Sequence, residues 1–219
     1  MTEVSTDFSF MDERNYVHGT TLLTAMLDLL EKEAQGPVHL RRIKFQKEIH
    51  ANCQIIVSRD AALASQFKEV PCFMTCEVGG EPWVELLHET KERPVTARFK
   101  SAYRISDLNG DDKFGGTCRV ECADRAEIIR TLVEANKRLH VASLPSGTSS
   151  PKVRMGYIED WKVPAVGARL DSSLAVQNVI AKETSIGVTT LNRLMYRDSE
   201  KGNVSLLVCF DVDAGGRAA

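Results

Sequence analysis

The sequence predicts an α+β fold built from two halves with the same plan. In each half a short strand precedes one helix, and several strand-like segments follow. Runs of strands with a single helix are typical of antiparallel sheets, whereas strands and helices alternate in a parallel α/β sheet. One mixed α+β domain is the alternative interpretation, since 219 residues suffice for one large domain or for two of about 100 residues.

Two segments have the apolar pattern of helices. The first is predicted over residues 20–33, where apolar side chains lie nearly all the way round, so we expect this helix to be buried on most sides. The dipeptide Gly36-Pro37 should end it. The second is predicted over residues 125–140, with one apolar face and with Asp124 as its N-terminal cap.

Strand-like segments occupy much of the remaining sequence. Gly79-Gly80 lies between two of them and is a hairpin signal. The polar run 106–116, rich in glycine and aspartate, is the best candidate for a boundary, which predicts domains at 1–106 and 107–219. The predicted strands are 8–11, 38–49, 51–58, 70–78, 82–89, 95–105, 117–122, 153–163, 173–181, 185–196 and 203–212.

Composition and charge argue against several classes of protein. A hydrophobic fraction of 43% with 26% charged residues is ordinary for a globular chain. The net charge of −2 disfavours a general nucleic-acid binder, and no apolar run reaches the roughly 18 residues that span a bilayer. Residues 1–9 are polar and acidic, unlike a signal peptide, so we expect a cytoplasmic protein with neither nucleic-acid nor membrane partners.

The six cysteines lie mostly in apolar strand-like segments, where a free thiol packs as a small hydrophobe. Cys72 and Cys76 have a spacing that zinc sites use. Four residues along a strand nevertheless span about 13 Å, which is too far for two ligands of one ion. The sequence also lacks a P-loop, a dinucleotide-binding glycine motif and a nucleophile-elbow serine. We therefore predict no metal and no cofactor.

The polar run ahead of the first predicted helix carries a family resemblance. It reads Asp12-Glu13-Arg14-Asn15-Tyr16-Val17-His18-Gly19-Thr20-Thr21. This run resembles the 4-hydroxybenzoyl-CoA thioesterase type of the hotdog superfamily, in which an aspartate precedes a Gly-His-Val-Asn-Asn stretch that opens the central helix. Asp12 and Val17 match that pattern, whereas Asn15, Tyr16 and His18 replace the Gly, the His and the first Asn.

The resemblance covers residues 10–60 and, with the repeated order of elements, implies a tandem (double) hotdog in which each antiparallel sheet wraps a central helix. It also implies an enzyme that processes acyl thioesters, foremost a thioesterase for acyl-CoA or acyl-carrier-protein thioesters. Asp12 would be the base or nucleophile, and His18 or Tyr16 would orient the thioester or protonate the leaving group. The implied substrate-binding residues, at or before the positive end of the helix, are Asn15, Gly19 and Thr20.

Two alternatives stay open. The β-hydroxyacyl-carrier-protein dehydratases, another hotdog branch, use a His with an Asp or Glu, and His18-Gly19 is similar to their motif without its proline. That likeness implies dehydration of a hydroxyacyl thioester in a fatty-acid or polyketide pathway. A non-catalytic acyl-binding module is the other alternative, because Tyr16 and His18 replace the expected residues. Hotdog units normally pair their sheets, so the resemblance implies pairing of the two halves or a homo-oligomer.

Overall fold

The structure, a computed structural model, describes residues 1–111, 113–144, 152–184, 187–198 and 201–213. The chain divides into two compact units, Met1–Ala102 and Tyr103–Ala219, a few residues ahead of the boundary predicted after residue 106. Antiparallel strands make up most of the described chain, with two α-helices, which agrees with the predicted α+β class. No helix within the described ranges is long and apolar enough to cross a membrane.

The first unit combines helix α1, Gly19–Glu33, with an antiparallel sheet. Its strands in chain order are β1 (Thr2–Thr6), β2 (Ser9–Met11), β3 (Val38–Phe45), β4 (Ala51–Ser58), β5 (Cys72–Val78), β6 (Glu81–Pro94) and β7 (Ala97–Phe99). The main sheet has the order β1-β4-β6-β5-β3, and β2 pairs separately with β7 in parallel.

Helix α1 covers one face of this sheet. Leu23, Met26 and Leu27 are fully buried, and the Met26 Sδ lies 3.9 Å from the Cys72 Sγ on β5. The opposite face is covered by a second apolar cluster, in which Phe73 and Leu86 pack with the segment that links β4 to β5. Residues 83–87 of β6 are therefore buried on both faces of the strand.

The second unit combines helix α2, Arg125–Ala142, with another antiparallel sheet. Its strands are β8 (Arg104–Gly110), β9 (Gly116–Cys122), β10 (Lys152–Lys162), β11 (Leu170–Thr184), β12 (Gly187–Asp198) and β13 (Gly202–Asp213), in the sheet order β10-β13-β12-β11-β9-β8. The predicted cap is confirmed, because the Asp124 side chain accepts a hydrogen bond of 2.8 Å from the Glu127 N–H. Residue 185, where the predicted strand 185–196 starts, lies outside the described residues.

Three strand predictions need correction. Residues 2–6, where no strand was predicted, form β1, whose Val4 pairs with Ile55. The single strand expected over 95–105 is replaced by the short β7 and the start of β8. Strand β8 then continues into the polar run 106–116, which was expected to form the boundary between the two domains. It stands last in the sheet order with mostly exposed side chains, so backbone pairing with β9, rather than apolar burial, defines it.

All six cysteines are buried free thiols. Burial raises the pKa of Cys53 to about 12 and that of Cys118 to about 11. It likewise raises the pKa of Cys122 to about 11. Because the thiolate is the reactive form, these side chains behave in the folded chain as small apolar residues.

Candidate functional site

The predicted site segment is positioned by the parallel pair of β2 and β7. Met11 pairs with Phe99, and the Asp12 N–H donates a hydrogen bond of 2.8 Å to the Phe99 carbonyl. Asp12 has a φ of 54°, in the left-handed region that aspartate tolerates better than most residues. The backbone therefore turns sharply at Asp12, where β2 ends.

The Asp12 carboxylate is held by three donors. It accepts hydrogen bonds from the Ser101 N–H at 2.9 Å and the Ser101 hydroxyl at 2.5 Å, and it pairs with the Arg14 guanidinium at 3.3 Å. The Ser101 hydroxyl is the largest of the causes that keep the pKa of Asp12 below its ordinary value. The Asp12 side chain is still 37% exposed, so an ionised carboxylate remains accessible.

Arg98 anchors the same turn through backbone oxygens. Its guanidinium donates to the carbonyls of Asp12 and Arg14, and it lies 5.5 Å from the centre of the Phe10 ring. Neither Arg98 nor Ser101 is predicted by a local sequence motif. Both follow Asp12 by more than 80 residues, and only the pairing of β2 with β7 brings them to it.

His18 and Thr20 come together at the start of α1. His18 is the N-cap residue in extended conformation, and its carbonyl accepts the Thr21 N–H at 2.9 Å. Its ring Nδ1 lies 2.8 Å from the Thr20 hydroxyl, while Thr20 itself is fully buried. Gly19 and Thr20 begin the helix, where backbone N–H groups have no acceptor within the helix.

Asn15 and Tyr16 lie in the turn between Asp12 and the helix. Asn15 is exposed and its carbonyl accepts a hydrogen bond of 2.8 Å from the His50 ring, whereas Tyr16 is half-buried. Val17 fixes the end of the turn by donating its N–H to the Ile49 carbonyl at 2.7 Å. The structure thus places Asp12 in one hydrogen-bonded group and joins His18 to Thr20 in another. The catalytic and substrate-binding roles of these residues stay predictions.

The second unit contains a buried polar cluster that the sequence analysis did not find. The His140 Nδ1 donates to the Asn136 carbonyl at 2.9 Å, so the Nε2 of the neutral ring accepts from the Thr190 hydroxyl at 2.5 Å. Burial lowers the pKa of His140, which favours this neutral form. His140 and Thr190 are both fully buried and connect α2 to β12.

Asn192 extends the cluster to two further segments. Its amide nitrogen donates to the Phe114 carbonyl at 2.8 Å and to the Asn136 side-chain oxygen at 2.9 Å. Its oxygen accepts from the Asn178 amide at 2.8 Å. Within this cluster, the amide nitrogen of Asn136 is buried without a hydrogen-bond partner. The cluster therefore ties α2, β11, β12 and the turn before β9 together.

The described residues include no candidate metal site, and the predicted site residues do not line the groove found on the second unit. Among the described residues, no group of three or more His, Cys, Asp or Glu side chains could hold a metal ion. A groove of about 470 Å³ on the second unit is lined by side chains of β11, β12 and β13, such as Met195 and Arg197. It contains none of the predicted site residues.

No family model and no curated protein matches the chain. Solved structures do match in fold. The dehydratase domain from the CurJ module of curacin polyketide synthase has a TM-score of 0.52 at 8% identity, over 93% of this chain and 84% of that one. GphF dehydratase 1 has a TM-score of 0.52 at 10% identity, over 98% of this chain and 93% of that one.

A third solved structure carries the name of the fold. A conserved protein of unknown function with a hot dog fold, from Alicyclobacillus acidocaldarius, has a TM-score of 0.52 at 8% identity, over 99% of this chain and 93% of that one. Identities this low concern the fold alone. They agree with the predicted hotdog-type fold, while membership of the hotdog superfamily and of its 4-hydroxybenzoyl-CoA thioesterase type stays a prediction.

Proposed function

We propose that the protein is an acyl-thioester hydrolase with the turn at Asp12 and the N-terminus of α1 as its active site. The observation that carries the proposal is the accessible Asp12 carboxylate, kept ionised by Ser101 and Arg14 on the segment that leads into the helix. The hotdog likeness supports an acyl thioester as the substrate. We also propose that each unit is one hotdog, since each has one helix against an antiparallel sheet.

The proposed reaction needs only residues of this segment. The thioester carbonyl accepts a hydrogen bond from the N–H group of Gly19, which is partly exposed, and from that of the buried Thr20 only if the start of the helix shifts. The helix dipole at this end also favours negative charge. Asp12 takes a proton from water, the hydroxide adds to the carbonyl carbon, and the C–S bond breaks. The thiolate leaves as a thiol after receiving the proton from Asp12 or through His18. The products are one carboxylic acid and one thiol for each water consumed.

The test is thiol release from acyl-CoA and acyl-carrier-protein thioesters of graded chain length. Asp12→Asn should lower kcat/KM by about 100-fold or more, the range that a positioned proton-transfer group supplies. Asp7→Asn is the matched control, because Asp7 is a more exposed aspartate paired with Arg93 in the same unit. Equal activity of the wild-type protein and a folded Asp12→Asn variant would contradict the proposal.

Dehydration of a hydroxyacyl thioester is the second candidate, favoured by the two dehydratases among the solved structures. His18 would be its base. Asp12 is a poor choice for the acid, because its lowered pKa leaves no proton to donate at neutral pH. Hydration of an enoyl thioester that is lost in His18→Ala and kept in Asp12→Asn would favour this candidate.

A non-catalytic acyl-binding module is the third candidate. It is favoured by the three donors around Asp12, which occupy the carboxylate as they would in a purely structural turn. Native mass spectrometry of the purified chain should then show a bound acyl ligand, while no thioester or enoyl thioester is turned over.

A further inference from the structure

The first unit buries one acid that the proposed reaction does not use. Glu85 lies in β6 with an exposed fraction of 0%, and neither of its carboxyl oxygens has a hydrogen-bond partner. Glutamate is almost never fully buried unless it is paired. An interior carboxyl group without a partner costs stability, and such costs concentrate at functional positions.

The strand register shows which way Glu85 points. Glu85 pairs with Met74 on β5 and lies beside Val57 on β4. Cys72 and Cys76 stand two residues on either side of Met74, so all share one face of the sheet. Cys72 contacts α1, which places Glu85 on the face that the helix covers.

The surroundings of Glu85 favour the protonated, uncharged form of its carboxyl group. Burial is the cause that raises the pKa of Glu85 well above its ordinary value, and burial likewise dominates the raised pKa values of Cys72 and Cys76 on the same face. A protonated carboxyl group offers one O–H donor and one carbonyl acceptor. It can thus pair with a hydroxyl or a keto oxygen but adds no charge to an apolar interior.

We propose that Glu85 is a specificity residue that selects acyl chains carrying an oxygen substituent, such as hydroxyacyl or oxoacyl thioesters. The inference rests on the proposed function, because the acyl chain would have to insert from the thioester at the start of α1 between the helix and the sheet, where Met26 and Met74 are fully buried. Met26 and Met74, the side chains beside Cys72 and Glu85, are the kind that repack most readily around a ligand. An unsubstituted chain leaves the acid unpaired, whereas an oxygen-bearing chain pairs it.

The experiment is calorimetric binding of thioether analogues of acyl-CoA, which cannot be hydrolysed, in alkyl and hydroxyalkyl pairs of matched length. The wild-type chain should bind the hydroxyalkyl member of the best pair about tenfold tighter or more. Glu85→Gln keeps a donor at this position and should retain most of that ratio. Glu85→Met, similar in volume and apolar, should bind both members equally. Glu81→Gln, an exposed glutamate of the same strand, is the control.

Each outcome bears on one of the two proposals. Wild-type binding without preference, or an unchanged preference in Glu85→Met, overturns the role of Glu85 and leaves the hydrolase proposal intact. Absence of binding for every analogue, together with absence of thiol release, overturns the hydrolase proposal and the inference that rests on it.

Discussion

The two units place polar side chains beneath their helices in opposite ways. Under α1, Glu85 is alone, and neither of its oxygens has a partner. In the second unit, His140 on α2 and Asn192 on β12 share a network in which nearly every donor meets an acceptor. Satisfied buried groups rigidify a core, whereas an unsatisfied one costs its full desolvation. The comparison indicates that polar contacts add to the packing of the second helix, whereas the first helix packs over a buried acid without a partner.

The same comparison predicts opposite responses to pH. An unfolded glutamate loses its proton near pH 4.5, whereas buried Glu85 keeps it, so this group's contribution is complete below that pH and falls as the pH rises toward the folded pKa. An unfolded histidine gains a proton near pH 6.5, whereas buried His140 resists it. Its contribution is complete above pH 6.5 and falls as the pH drops.

The largest expected effect on stability comes from a substitution that breaks the hydrogen-bond network of the second unit. Asn192→Ala leaves the Asn136 oxygen and the Phe114 carbonyl without their donor and removes one of the two acceptors of the Asn178 amide, so it should lower the free energy of unfolding by about 3 to 5 kcal/mol. Denaturant titration measures it. Asn203→Ala, at an exposed position of β13, should change stability by less than about 0.5 kcal/mol. Equal losses of stability in both variants would contradict the central role of Asn192 in the hydrogen-bond network.

The next effect has the opposite sign. Glu85→Met removes the unpaired acid and should raise the free energy of unfolding at pH 7 by about 1 to 3 kcal/mol. The gain over the wild-type chain should grow by about 1.4 kcal/mol per pH unit above pH 5 until the folded pKa is reached. Denaturant titrations from pH 5 to 8 test the slope. A gain that does not depend on pH would mean that Glu85 is ionised in the folded chain.

A smaller effect is the dependence of stability on pH that His140 contributes in the second unit. The wild-type chain should lose stability through this group as the pH falls from 7.5 to 5.5, by at most about 1.4 kcal/mol per pH unit, because the unfolded chain takes up the proton more readily. Nitrogen NMR of the imidazole should show Nδ1 protonated and Nε2 bare across that interval. A protonated Nε2 at pH 7 would contradict the hydrogen-bond directions given above.

The smallest effect concerns the turn at Asp12. Ser101→Ala removes the hydroxyl that most lowers the pKa of Asp12, so the carboxyl should titrate at higher pH. Because the carboxyl side chain is 37% exposed and water competes, the loss of stability should stay below about 1 kcal/mol. That contribution is present above pH 3.8 and disappears as the pH falls through the folded pKa. Carboxyl carbon NMR of both chains measures the shift directly; identical midpoints would contradict it.

Local signals explain what the sequence predicted well. The helix at residues 125–140 and its cap depend on neighbours along the chain, and both are found, with the helix ending at Ala142. The edge strand β8 was missed because its side chains are polar and only its pairing with β9 defines it. Ser101 and Arg98 were missed because a register between distant strands, rather than a motif, brings them to Asp12.

Glu85 shows the same limit inside a strand. An acid within an apolar strand usually marks the solvent face, because side chains alternate between the two faces. Strand β6 has α1 on one side and the cluster around Phe73 and Leu86 on the other, so alternation carries no information about exposure. The burial of Glu85 follows from layers that the sequence pattern does not reveal.

The six buried thiols can be used to measure local opening of the folded chain. Cys53, Cys72 and Cys76 belong to the first unit, and Cys118, Cys122 and Cys209 to the second. A thiol-specific reagent can modify them only during moments of opening, because both burial and the scarcity of thiolate protect them in the closed state. Labelling rates resolved by peptide mass would therefore give separate opening frequencies for the two halves of an untagged, unmutated chain.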